Sequence, residues 1–232
     1  MLRFKALIFF LTPLTLQLFA CGGGPERTLL RTFFAAVQTK DNTTVAAMSA
    51  VGFDETVEAW EIVEVSEEAA LPFRLAELEK AAEDAKKVRD EHWEEFGVFQ
   101  DENFDELEVI RQRVEQDGAY RFSGSRGELQ AEWDKWREER SEHEGMLRDA
   151  QAAVDKERTQ ASMSLMASTN LKGFSGQVAT KVVTVNCTIQ EQGPKLYKFT
   201  LAKYDLSAGS NTPPPARWII VGIEPADGTG TT

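Results

Sequence analysis

The sequence predicts an α+β protein in which a small body of N-terminal helices and antiparallel strands is interrupted by a long antiparallel, coiled-coil-like helical hairpin. Three observations carry that prediction. β-branched and aromatic residues alternate at 57–65 and again between 176 and 224, the period-2 pattern of strands. Leucine, alanine and tryptophan recur at 4-3 spacing between 67 and 168, the seam pattern of paired helices. The net charge of −12 lies wholly between Glu67 and Arg158, where 27 acidic residues meet 15 basic ones; the other 140 positions hold 11 of each.

The chain opens MLRFKALIFFLTPLTLQLFAC. Arg3 and Lys5 followed by an apolar run to Ala20 have the layout of a secretory signal peptide over 1–20. A spanning helix needs about 20 consecutive apolar residues, and Thr12, Pro13, Thr15 and Gln17 interrupt this run. Three glycines and Pro25 follow Cys21, so 21–25 reads as a tether. Next, Leu29, Leu30, Phe33, Phe34 and Val37 share one helical face, and Thr43 or Thr44 can cap a second short helix. VEAWEIVEV reads as a strand over 57–65.

From Glu67 the pattern is helical. Leu71, Leu75, Leu78, Ala82 and Ala85 form one seam, and Leu129, Trp133, Trp136, Arg140, His143, Leu147, Ala150 and Val154 form another. Between them, Phe104, Leu107, Ile110 and Val114 keep helical spacing behind Asn103, a candidate cap. Two arrangements fit: a three-helix cluster, or one hairpin of 72–117 against 126–168. In the hairpin a turn at 118–125 sets Trp136 by Leu107 and Ala82 by Ala161, with a kink at Gly97 or 101–103 and a Ser125–Glu128 capping box. The last strands are GQVATKVVTVNCTIQ, KLYKFTLAKYDL and RWIIVGIE, expected beside the strand at 57–65, with 227–232 a flexible tail.

LFAC at 18–21 resembles the lipobox of bacterial lipoproteins, with Phe19 where the family has a small residue. The resemblance implies that Cys21 becomes the acylated first residue of the mature chain, anchoring it to a membrane of the bacterial envelope. Multiple acyl chains hold where a single one exchanges. Gly22, where enteric inner-membrane retention signals carry Asp, tilts the expectation to the periplasmic face of the outer membrane.

The segments FFAAVQTKDNTTVAAM and RWIIVGIE resemble the nuclear transport factor two-like superfamily. That resemblance covers about 26–65 and 172–224. It implies a cone-like α+β domain with a curved sheet, over 26–66 and 169–226, with 67–168 inserted. It also implies a pocket inside the cone, with Trp60, Tyr204 and Trp218 as candidate lining residues, although bulky aromatics at such positions more often fill the core. Enzymes of that superfamily use paired Asp and His there, and this chain's only histidines, His92 and His143, lie in the insertion.

The acidic balance excludes a nucleic-acid partner, which requires a basic face. In DEHWEE and SEHE carboxylates flank each histidine, yet the Glu-x-x-His ligand slots hold Arg89 and Arg140, so no metal or cofactor is expected. The hairpin register places the two histidines far apart. Trp93, Trp133 and Trp136 are candidate anchors for a protein partner or a second copy, with the seam as their other role. With Cys21 acylated, Cys187 has no disulfide partner and reads as a small core residue. The function expected is non-catalytic protein contact through the acidic insertion; the alternative is a ligand-binding or enzymatic cone pocket.

Overall fold

A computed structural model describes residues 24–166, 170–208 and 215–226. Among them are five helices and a five-stranded antiparallel sheet, an α+β architecture. Helix α1 (Pro25–Gln38) opens on proline, whose missing N–H costs nothing in a first turn, and buries Leu29, Leu30, Phe33 and Phe34. Helix α2 (Asn42–Met48) is capped by Asp41, which accepts from the Thr44 amide at 3.1 Å. The expected cap at Thr43 or Thr44 is therefore inside the helix: Asp is the stronger cap, and its acceptor reaches the amide three residues on.

Strands β1 (Val57–Val65), β3 (Ser175–Ile189), β4 (Gly193–Ser207) and β5 (Ile219–Pro225) lie side by side in the order β1-β3-β4-β5. A further strand, β2 (Ala69–Pro72), continues the β1 edge: Val65 pairs with Val183 and Ala69 with Thr180. Ser66 joins the two, donating its amide to Val182 O and accepting from Val182 N. The sequence reading begins the helical insertion at Glu67, so it places these four residues outside the sheet. AALP has no β-branched residue; the free edge of β3 orders it, and beyond Pro72 a last bond from the Phe73 amide to Gly176 O closes the pairing.

Alternation divides β3 and β4 between two faces. Val183, Val185, Cys187, Ile189, Tyr197, Phe199 and Leu201 pack with α1. Val178, Ala202, Tyr204 and Leu206 pack on the opposite side with Leu75 of α3 (Leu75–Glu102) and with Val154, Ala161 and Leu165 of α5 (Ser125–Leu165). The start of α3 and the end of α5 are thus part of the body's core.

At 41 residues, α5 spans about 60 Å. Its partner is broken at Asn103, after which α4 (Phe104–Gln116) begins, while Gly97 stays inside α3. Asn103 does not cap α4; its side chain donates back to Phe99 O. Nor does Ser125 cap α5, whose N-cap is Gly124 at φ 66° with no side-chain bond.

Contacts between the two long helices run in opposite senses along the chain: Arg158 meets Glu79, His143 meets His92 and Trp136 meets Phe96. This register differs from the expected one, which set Trp136 by Leu107. The cause is the connection after α4. Residues 117–124 fold back as non-helical chain, with Arg113 over the Tyr120 ring and Gln130 bonded to both Tyr120 O and Phe122 N. A Cβ at Gly127 would collide with the Phe122 carbonyl, so this return lies tight on the first turn of α5. Here Leu107 and Ile110 close a cluster with Phe96, Phe99 and Trp133 that contains no residue of the sheet.

Candidate functional site

Trp60, Tyr204 and Trp218 do not line one pocket. Trp60 pairs with Cys187 across the ladder and stacks on Phe34 at 5.0 Å, on the α1 face. Trp218 packs against the same cluster and lies beneath Lys181 at 5.1 Å and Lys203 at 5.7 Å. Tyr204 is on the other face, under α5. The correction follows from strand parity together with the return of α5 to the sheet, which local sequence spacing does not encode.

Around Tyr204 the chain builds a buried polar junction. The tyrosine hydroxyl lies 3.0 Å from Gln160 Oε1 and 3.3 Å from Glu157 Oε2, and burial, followed by the Glu157 charge, pushes its pKa up. Ser164, fully buried, accepts from the Tyr204 amide at 3.0 Å and donates to Arg217 O at 2.7 Å. Arg217 donates its amide to Ser164 O, its Nε to Met163 O and an Nη to Ala47 O. Sequence reading missed Ser164, Gln160 and Arg217. One signal was present: continuing the α5 seam past Val154 and Ala161 reaches Ser164, a polar residue on an apolar line.

Farther along α5, the three candidate contact tryptophans have different surroundings. Trp93 is 43% exposed, with Arg140 over its ring at 5.2 Å. Trp133 is buried in the aromatic cluster under Arg137. Trp136 is half-buried in a stack with Phe96 at 5.9 Å, Phe99 at 5.8 Å and His92 at 5.0 Å. Of the three, Trp93 offers most surface to a partner.

His92 and His143, which the expected register separates, meet with ring centroids 5.0 Å apart. Among the described residues no group of three His, Cys, Asp or Glu side chains is placed to hold a metal ion. Cys187 is buried, and burial pushes its thiol up to about 12, so it is not a thiolate near neutrality. Two exposed carboxylates are held below their ordinary range: Asp41 by the Thr44 hydroxyl and amide, Glu106 by its bond and charge contact with Arg126.

The expected signal segment 1–20, Cys21 and the expected tail 227–232 lie outside the described residues, and no helix among those described is long and apolar enough to cross a membrane. Comparison with protein-family models, curated proteins and solved structures returns no match.

Proposed function

We propose that the protein is a lipid-anchored, non-catalytic component of the bacterial cell envelope. Cys21 carries the acyl groups, and the anchored face is the periplasmic side of the outer membrane. In this reading the sheet with α1 and α2 is a cone-like domain of the nuclear transport factor two-like kind, and α3 to α5 form an inserted helical-hairpin arm. The arm presents its acidic surface, with Trp93 upon it, to another envelope protein.

The observation that carries the reading is the order of the chain: an apolar leader ending LFACGGG, then a charge-balanced body, then an insertion that bears the whole net charge. Like charges would turn such an arm away from an anionic membrane surface. The polar junction at Ser164 supports the same reading, since it gives α5 one seat on the body.

Fractionation tests the anchor. Cys21→Ser should move the protein from the membrane to the soluble fraction and abolish incorporation of a labelled fatty acid; a variant that stays in the membrane fraction overturns it. Photocrosslinking from position 94 in intact cells tests the arm, and should yield one discrete adduct that is lost when Trp93 is replaced by alanine.

A further inference from the structure

The α3–α5 seam is apolar toward both ends and basic at its middle. The root holds Leu75, Val154, Ala161 and Leu165, the tip Phe96, Phe99 and Trp133. Between them, Arg89 and His92 come from α3, Arg140 and His143 from α5. His92 is 7% exposed, and its Nε2 lies 3.2 Å from the Trp136 carbonyl. The Nδ1 of His143 is buried and has no hydrogen-bond partner among the described residues.

We propose that this layer is an acid-sensitive joint: when both imidazoles take up protons, α3 and α5 part here while root and tip stay packed. The proposal stands on the seam alone and holds whether or not the chain is lipid-anchored.

Histidine changes charge in the window pH 5 to 8. Uncharged, His92 extends the aromatic stack of Phe96 and Trp136, and His143 meets His92 edge-on. Charged, they are like charges 5.0 Å apart between apolar walls, and the buried Nδ1 of His143 becomes a donor with no acceptor. The neighbouring carboxylates are already engaged. On α3, Asp90 holds Arg89 at 2.6 Å and Glu91 faces Lys87. On α5, Glu144 faces Arg140 and Glu139 faces Lys135. Glu94, Glu95 and Glu142 are exposed. The two guanidiniums are paired with Asp90 and Glu144, so those carboxylates are not free to compensate the imidazoliums. Parting the helices relieves that repulsion and hydrates both charged rings, so acid favours the parted form. An opening that takes up one proton shifts about tenfold per pH unit.

Hydrogen–deuterium exchange of the full chain at pH 7.5 and 5.0, corrected for the intrinsic pH dependence of exchange, tests this. Protection over 86–96 and 137–147 should fall about tenfold or more at pH 5.0, with 157–165 and 105–115 unchanged. His92→Phe with His143→Phe keeps two rings without a titratable charge and should remove the difference. His143→Gln alone should diminish it, which serves if the double variant does not fold. Equal protection of the unmodified chain at both pH values, or a full pH response in either variant, overturns the proposal.

Discussion

The two faces of the sheet are closed by different means. On one, α1 sets carbon against carbon: Phe33, Phe34 and Phe199 are fully buried and meet edge to face at 5.4 to 6.0 Å. On the other, α5 is seated by hydrogen bonds that Ser164, Tyr204 and Arg217 make together. Apolar packing tolerates small slips of one element over another, whereas a buried polar group is satisfied in one register only. Both faces bury an apolar cluster; the polar junction on the second also specifies where a long helix leaves the body.

Deletion should separate those roles most strongly. Replacing 67–168 by a short linker removes β2 and bares the Tyr204 face, so the product should fail to give a cooperative unfolding transition. Replacing only 86–146 keeps both ends of the helix pair on the sheet and should leave a folded body; circular dichroism with urea titration distinguishes the two. Phe34→Ala, on the apolar face, should cost about 3–5 kcal/mol of unfolding free energy in the same titration. Ser164→Ala leaves the Tyr204 amide and the Arg217 carbonyl without partners and should cost about 1–3 kcal/mol. It should also raise hydrogen exchange at the end of α5 more than in α1.

Alkali offers the gentlest comparison, because each face holds one tyrosine. Burial, with the Glu55 charge second, raises Tyr197 to about 12, and burial with Glu157 raises Tyr204 as well. An unfolded phenol ionises near 10. Above that pH the unfolded chain loses protons the folded chain keeps, so stability should decline from about pH 10 toward pH 12. Tyr197→Phe and Tyr204→Phe should each flatten part of that decline; if neither does, the hydroxyls are not the groups responsible.

What could be read from the sequence followed the physics of each element. β1 and the three later strands were placed within a residue or two because alternation is a local signal, and α1 because its apolar face is strong. β2 was missed because AALP carries no strand propensity of its own and is ordered by β3. The helix-pair register was misplaced because it depends on a non-helical return at 117–124, and the His92–His143 meeting was lost with it. Trp60 and Tyr204 could be read as core but not as parts of two separate cores, because residue type does not reveal which face of a sheet a distant helix will cover.

The two halves of the helix pair are also unequal in continuity. The outgoing half breaks at Asn103, but α5 runs from Ser125 to Leu165 without a joint. Such a rod amplifies rotation: a tilt of about 6° about Ser164 carries the far end through roughly 6 Å. Arg217 ties the seat of that rod to the last turn of α2 through Ala47 O. A load applied at the tip therefore arrives at the body as torque on the Ser164–Arg217 seat and on the apolar root packed around it.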